Sequence, residues 1–499
     1  EQPASDGNPA VPAGLKISTG EGGESVYLDL EGNDLINVDV GKAVIQISEF
    51  LHLQGSLSFR MGDVYNAALD LGGLGPIVDQ VSAALGSVAN PNLDFTLNPF
   101  PLQMEAITVG GANLTGFVGV GGPYRYGDDL IGEIDEITGQ PIPDGLPDKI
   151  NENAIGLIID DVDFGVAVMQ STLLDLIPNS AAYTPKFISA KAHVGEASLI
   201  GVDENILSAE LKDVEVNMNT MFWYVGEPTA TAILNVALQL FGPPSINYRE
   251  SPQWADYTED LNGNGLLDLG EDTNRNGVLD AGEDLNGDGL LQESEDKNTN
   301  GVIDTGGFML PAGGNNGVFL DFDTEIIQAK IGYAEVNLAG FLQMSGSMAL
   351  TKKGSEQVYL NNGDRTTITS LALGINDANG FIGIPSFEGG VPRGYFWDSN
   401  GDDYIDENDE VNPNAIGLAI RDLDLGILLA KELVIDLEGL DIGMYVAVQA
   451  DVDYIGLVGV PEGLVLRAED LRLDLNTGVR ASINTGFEVD DETGAVSFT

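Results

Sequence analysis

The sequence predicts an all-β fold, mostly antiparallel, made of duplicated sandwich- or solenoid-like β-modules with a few short helices and an array of calcium loops. Three observations carry this reading. Blocks of sequence recur in the same order, the blocks alternate with period two, and acidic twelve-residue motifs stand in a row between the copies.

The repeat comes first. VYLDLEGNDLINVDVGKAVIQISEFLHLQGSLSF (Val26–Phe59) matches VFLDFDTEIIQAKIGYAEVNLAGFLQMSGSMAL (Val318–Leu350) with one gap. NENAIGLIIDDVDFGVAVM (Asn151–Met169) matches NPNAIGLAIRDLDLGILLA (Asn412–Ala430), and AHVGEASLIGV (Ala192–Val202) matches ADVDYIGLVGV (Ala450–Val460). Within the blocks Leu51, Leu53, Leu57 and Phe59 alternate with His52, Gln54, Ser56 and Ser58 around Gly55. The second copy repeats this with Leu342, Met344, Met348 and Leu350 around Gly346. Such alternation gives a strand one apolar and one polar face.

Helical periodicity is expected in two stretches. Pro76–Ala89 places Ile77, Val78, Val81, Leu85 and Val88 on one face, and Pro228–Pro244 does so with Ile233, Val236, Ala237, Leu240 and Phe241. The organisation expected is a first β-module over 1–220, a helical connector over 221–255, tandem calcium loops over 256–306 and a second β-module over 307–499 with one inserted calcium loop.

The calcium row is read position by position. Asp260, Asn262, Asn264, Gly265, Asp268 and Glu271 fit places 1, 3, 5, 6, 9 and 12 of a calcium loop. Asp272, Asn274, Asn276, Gly277, Asp280 and Glu283 repeat it, then Asp284, Asn286, Asp288, Gly289, Gln292 and Glu295. A partial copy has Asp296, Asn298, Asn300, Gly301 and Asp304. Alternate oxygen side chains in a tightly turning loop converge on one point, where calcium takes about 6–8 hard oxygens. Glycine at the sixth place turns the chain. Place 12 of one loop abuts place 1 of the next, so no helix pair flanks them and sensor-type opening has no moving part. A further loop is expected at Asp398, Asn400, Asp402, Asp406 and Asp409, with Asp403 in the glycine place. The equivalent stretch of the first copy is acidic but off-pattern, with Asp128, Asp135, Asp144 and Asp148 as an eroded site. Several Ca2+ ions are the cofactor these residues imply.

Composition narrows the function. A formal net charge of −58 opposes nucleic acid and anionic membranes as partners and favours bound cations or a high-salt medium. The chain has no cysteine, which excludes disulfides and thiolate chemistry. No apolar run approaches the ~18 residues of a membrane span. The opening EQPASDGNPAVPAG shows no signal peptide and reads as part of a processed product or of a longer chain.

Signatures of catalysis are missing: no Gly-x-Ser-x-Gly, phosphate loop or His-Glu-x-x-His occurs. The two histidines, His52 and His193, align with Gln343 and Asp451 and read as residues of a polar strand face. Carboxylate pairs such as Asp160/Asp161 and Asp422/Asp424 carry little information in so acidic a chain. Asp163 and Asp424, in a repeated Asp-x-Asp-x-Gly motif, read as serving turns or cations. Trp223, Trp254 and Trp397 read as core or loop anchors, with sugar stacking as the other reading.

The row at Asp260–Asp304 resembles thrombospondin type 3 repeats, which implies a metal-held rod ordered only when loaded. The phrases SEFLHLQGSLSF, AIGLIIDDVDFGVAVM and ASLIGVDENILSAELKDVEVN resemble modules of very large secreted or surface proteins of bacteria, often described as adhesin-like or calcium-binding. That resemblance implies an extracellular or cell-surface location. The expectation is a non-enzymatic, calcium-stabilised structural protein of a surface fibre, filament, matrix or adhesin stalk, associating with itself. The alternative is a calcium-dependent glycan-binding adhesion module.

Overall fold

A computed structural model describes residues 15–18, 25–28, 35–71, 100–126, 149–151, 153–171, 186–203, 205–222, 243–254, 307–313, 316–360, 363, 365–406, 408–436, 439–461, 463–483, 487–489 and 496–498. The calcium row and both expected helices lie outside the described residues, which contain strands, turns and bends but no helix.

The first copy contributes β1 (Ile36–Ile47), β2 (Leu51–Asp70), β3 (Phe100–Val120), β4 (Ile155–Ser171), β5 (Lys186–Ile200) and β6 (Leu207–Phe222). A short β7 (Ser245–Asn247) and the hairpin β8 (Phe308–Gly313) and β9 (Asn316–Leu320) follow. The second copy contributes β10 (Ile326–Leu338), β11 (Leu342–Tyr359), β12 (Arg365–Ile384), β13 (Ile416–Asp436), β14 (Gly439–Val458) and β15 (Arg467–Ile483).

Thirteen of these strands form one antiparallel sheet in the order β7-β2-β3-β4-β5-β6-β10-β11-β12-β13-β14-β15, with β1 beside β2. The copies are therefore not separate sandwiches or solenoid turns. They fuse edge to edge, β6 pairing with β10 from Leu207↔Leu338 to Asn219↔Ile326. The physical reason is that an edge strand offers a full row of unpaired backbone groups, and the second copy's first strand satisfies them.

Side chains fix this seam. The Lys330 ammonium meets Glu215 at 2.8 Å. Buried Glu325 accepts from Lys352 Nζ at 2.6 Å and from Thr220 Oγ1 at 3.3 Å. Asn219 Nδ2 donates to the carbonyls of Ile246 and Thr324, both at 2.8 Å.

One sheet face carries apolar rows that cross the seam. Val216, Ala329, Leu350, Leu373, Ile427, Val448 and Leu475 are successive register partners, one per strand from β6 to β15. The other face of the first copy holds the largest core. Tyr65, Met104, Met169 and Phe187 pack there with Leu310 and Leu320 of the β8–β9 hairpin. Burying each such side chain contributes about 1.5–3 kcal/mol. The hairpin fits because β3 and β4 carry Gly110 and Gly165 beneath it. A Cβ on Gly110 would stand 2.1 Å from the Pro311 carbonyl oxygen, and one on Gly165 would stand 2.9 Å from Val318. Residues beyond the expected boundary at 307 thus complete the core of the first copy.

Candidate metal sites and their supports

The residues that flank the expected calcium row, Trp254 and Phe308, belong to one core. The Gly307 amide donates to the Trp254 carbonyl at 3.1 Å. The Trp254 and Phe308 rings stack, and Tyr65 and Tyr248 close around them. Trp254 and Gly307, the described residues on either side of the expected row, are thus held together. The row's expected ligands, from Asp260 to Asp304, lie outside the described residues, as do Asp128, Asp135, Asp144, Asp148 and Trp223.

The loop at 398–409 is described except for Glu407 and packs over the seam. The Asp398 carboxylate accepts from the amides of Gly401 at 2.6 Å and Asp403 at 3.0 Å. Burial pushes its pKa up, and backbone N–H groups from Gly401, Asp403, Asp402 and Asn400 more than offset this, leaving the group below its usual value. Asp409 accepts from Ser399 N at 2.7 Å and Asp406 N at 3.1 Å, while Asn400 and Asp402 cap the amides of Asp402 and Tyr404. Asp403, in the glycine place, takes a left-handed φ of 64°. Ile405, in the eighth place, is buried, and its amide donates to Tyr333 Oη at 2.9 Å. Lys212 of β6 donates to the Asp403 carbonyl at 2.8 Å and lies over the Tyr404 ring. Three carboxylates of this loop do not gather at one point: among the described residues, the group that does so is elsewhere.

That group is Asp377, Asp422 and Asp424, exposed, with one oxygen of each within 4.8 Å of the others. Its arrangement follows from a line of β-bulges. Asp377 and Asp422 have φ of 52° and 51°, and the Asp377 amide donates to Asp424 Oδ1 at 3.0 Å. The first copy repeats this geometry with Asn113 and Asp161 at φ 51° and 54°, and with Asn113 N donating to Asp163 Oδ1 at 2.8 Å. The repeated Asp-x-Asp-x-Gly motif therefore has a backbone role. Its first Asp adopts the bulge, and its second accepts the amide of the bulge residue on the preceding strand. Asp377 was not legible as a partner in sequence, because its counterpart is Asn113 and only the register brings it to Asp424.

Burial and then repulsion from Asp424 and Asp377 raise the pKa of Asp422. The Asn-x-Asn-Ala-Ile-Gly motif also has a local cause. Asn412 Nδ2 donates to the carbonyls of Arg393 and Gly394, and Asn151 Nδ2 donates to those of Gly121 and Pro123. Each closes the base of the loop before its strand.

The histidines differ. His52 is buried against Phe117, and burial lowers its pKa. Its counterpart Gln343 holds Phe396 by both its backbone groups, at 2.6 and 2.9 Å. His193 sits in register between Asp163 and Glu215. Trp254 is buried as a loop anchor, while Trp397 is half-buried under the Arg393 guanidinium at 4.3 Å. Comparison with protein families, with characterised proteins and with solved structures returned no match.

Proposed function

We propose that the chain is a non-enzymatic, calcium-stabilised extracellular structural protein, a building block of a bacterial surface fibre, filament, matrix or adhesin stalk. The observation that carries this is the row of in-phase calcium loops, three full and one partial, with glycine at every sixth place and Leu267, Leu279, Leu291 and Ile303 at the eighth. A row held at Trp254 and Gly307 is an element that metal can stiffen without disturbing the sheet. Extracellular calcium fills even weak loops of this kind. Limited proteolysis with and without a chelator tests it. Cleavage between Tyr257 and Gly307 is expected only in the stripped protein, and equal protection in both sinks the calcium reading.

The second reading, calcium-dependent glycan binding, is supported by half-buried Trp397 directly before the 398–409 loop. A glycan array with and without chelator separates the two.

A further inference from the structure

We propose that copies of this chain join head to tail by continuing the sheet, β15 of one chain pairing antiparallel with β1 of the next in the register that β6 and β10 use within the chain. The inference deepens the structural-protein reading and rests on it only in treating the chain as a repeating unit.

The template is internal. β15 is the counterpart of β6, with Asp213 matched by Asp470 and Asn219-Thr220 by Asn476-Thr477. β1 is the counterpart of β10, with Gly332 matched by Gly41, and Ala339 matched by Ser48 at the following turn, both with positive φ. Among the described residues, β15 pairs only with β14 and β1 only with β2. Both present long outer edges, and a long apolar edge of this kind is a template for another strand.

Transferring the register makes specific partners. Glu215↔Lys330 becomes Arg472 opposite Asp39, so the signs reverse together and attraction is kept. Lys212↔Tyr333 becomes Glu469 opposite Lys42, a second pair of opposite charge. Val216↔Ala329 becomes Leu473 opposite Val38, which are 55% and 50% exposed. The apolar rows that cross the internal seam thereby run on through β1 into Phe59 of β2. Opposite-charge and apolar cross-strand pairs each contribute about 0.2–1 kcal/mol.

Two sets of glycines fit the same placement. Gly332 is opposite Asp213, whose φ is 53°, and a Cβ there would lie 2.7 Å from Asp213 Cβ. Among the described residues Gly41 has nothing within 4 Å, and the preceding chain's Asp470, with a left-handed φ of 51°, comes over it. The hairpin that precedes β10 lies on the first copy over Gly110 and Gly165. Among the described residues, their counterparts Gly374 and Gly426 face open space, Gly426 having only the Gln449 carbonyl at 4.0 Å. The antiparallel hairpin Leu15–Ser18/Ser25–Leu28, which precedes β1, is the segment the repeat brings over them. The contact is heterologous, so it propagates into a filament wherever the rotation between copies does not close a ring.

The chain's lack of cysteine makes the test direct. Full-length Val38→Cys and Leu473→Cys chains are mixed with calcium under mild oxidation. Antiparallel partners have Cα atoms about 4.5–5.5 Å apart, within disulfide reach. A covalent dimer of the two variants is expected, with at least about tenfold less from Val38→Cys mixed with Leu466→Cys, which is out of register. Gly41→Val, at a position with open space, should leave the single chain folded and abolish association in sedimentation velocity. Asp39→Arg should weaken association about tenfold, and adding Arg472→Asp in the same chain should restore it. No in-register dimer, or Gly41→Val associating like the parent, overturns the proposal. If chelator-dependent cleavage of 257–307 persists in that case, the calcium reading stands while the assembly falls.

Discussion

The Trp254 indole lies on the Phe308 ring with centroids 4.6 Å apart and 17° between planes, although the whole calcium row separates them in sequence. The pair closes the base of the row and is also part of the first copy's core. Trp254→Ala should therefore destabilise the protein by about 3–5 kcal/mol, the usual cost of a large aromatic truncation. Denaturant unfolding at saturating calcium measures it. A cost under about 1 kcal/mol would show that the stack is not part of the cooperative core.

The two copies supply their own control for the hairpin. Gly110 meets the Pro311 carbonyl, whereas its counterpart Gly374 meets nothing within 4 Å among the described residues. Gly110→Ala should cost about 1–3 kcal/mol by overpacking against backbone. Gly374→Ala should change the stability of the dilute single chain by less than about 0.5 kcal/mol. Equal effects would mean that the hairpin does not rest on β3.

How much of this was legible in sequence follows from what period two encodes. The alternation at Leu51–Phe59 gave the strand but not the face that packs, since His52, Ser56 and Ser58 are buried while Leu51, Leu53, Leu57 and Phe59 are half-buried. The repeat gave the matched partners of both copies. Fusion into one sheet was hidden, because the β6–β10 seam is made by backbone groups that every residue carries. The bulge line was half visible. The repeated motif marked Asp163 and Asp424 as serving turns or cations, but only cross-strand register shows that they accept the amides of Asn113 and Asp377, which hold the left-handed φ that Asn and Asp tolerate. Trp254 as a loop anchor was legible from its place beside the row. Its partner Phe308 was not, since nothing local marks two ends as adjacent.

Asp422 sets a pH dependence. Burial, then repulsion by Asp424 and Asp377, holds its folded pKa above the ordinary aspartate value of 3.8. A raised carboxyl pKa means that the folded chain holds the proton more tightly than the unfolded one. The associated stability is full below pH 3.8 and is lost as pH rises through the raised value. Asp422→Asn should therefore stabilise at neutral pH and give no gain below about pH 3.8. The group is exposed and screened, so the gain is about 0.5 kcal/mol or less. Asn also suits the φ of 51°, as Asn113 does in the first copy. A gain that persisted unchanged at pH 3 would remove carboxylate repulsion as its cause.

Asp403 provides the sharpest backbone test, because it holds a left-handed φ of 64° in the place where the other loops have glycine. A Cβ in that conformation costs about 1–2 kcal/mol, less for Asp than for most residues. Its carbonyl, not its side chain, takes the Lys212 ammonium, so substitution leaves that anchor in place. Asp403→Gly should then raise stability by up to about 1 kcal/mol. Asp403→Val should lower it by about 1–2 kcal/mol, since a β-branched side chain resists positive φ. Thermal unfolding of the three proteins in calcium and in chelator checks both. If the 398–409 loop holds an ion, the spread between the Gly and Val variants should be wider in calcium, because binding then depends on the same turn. An equal spread in both conditions would show that the turn matters to the fold alone.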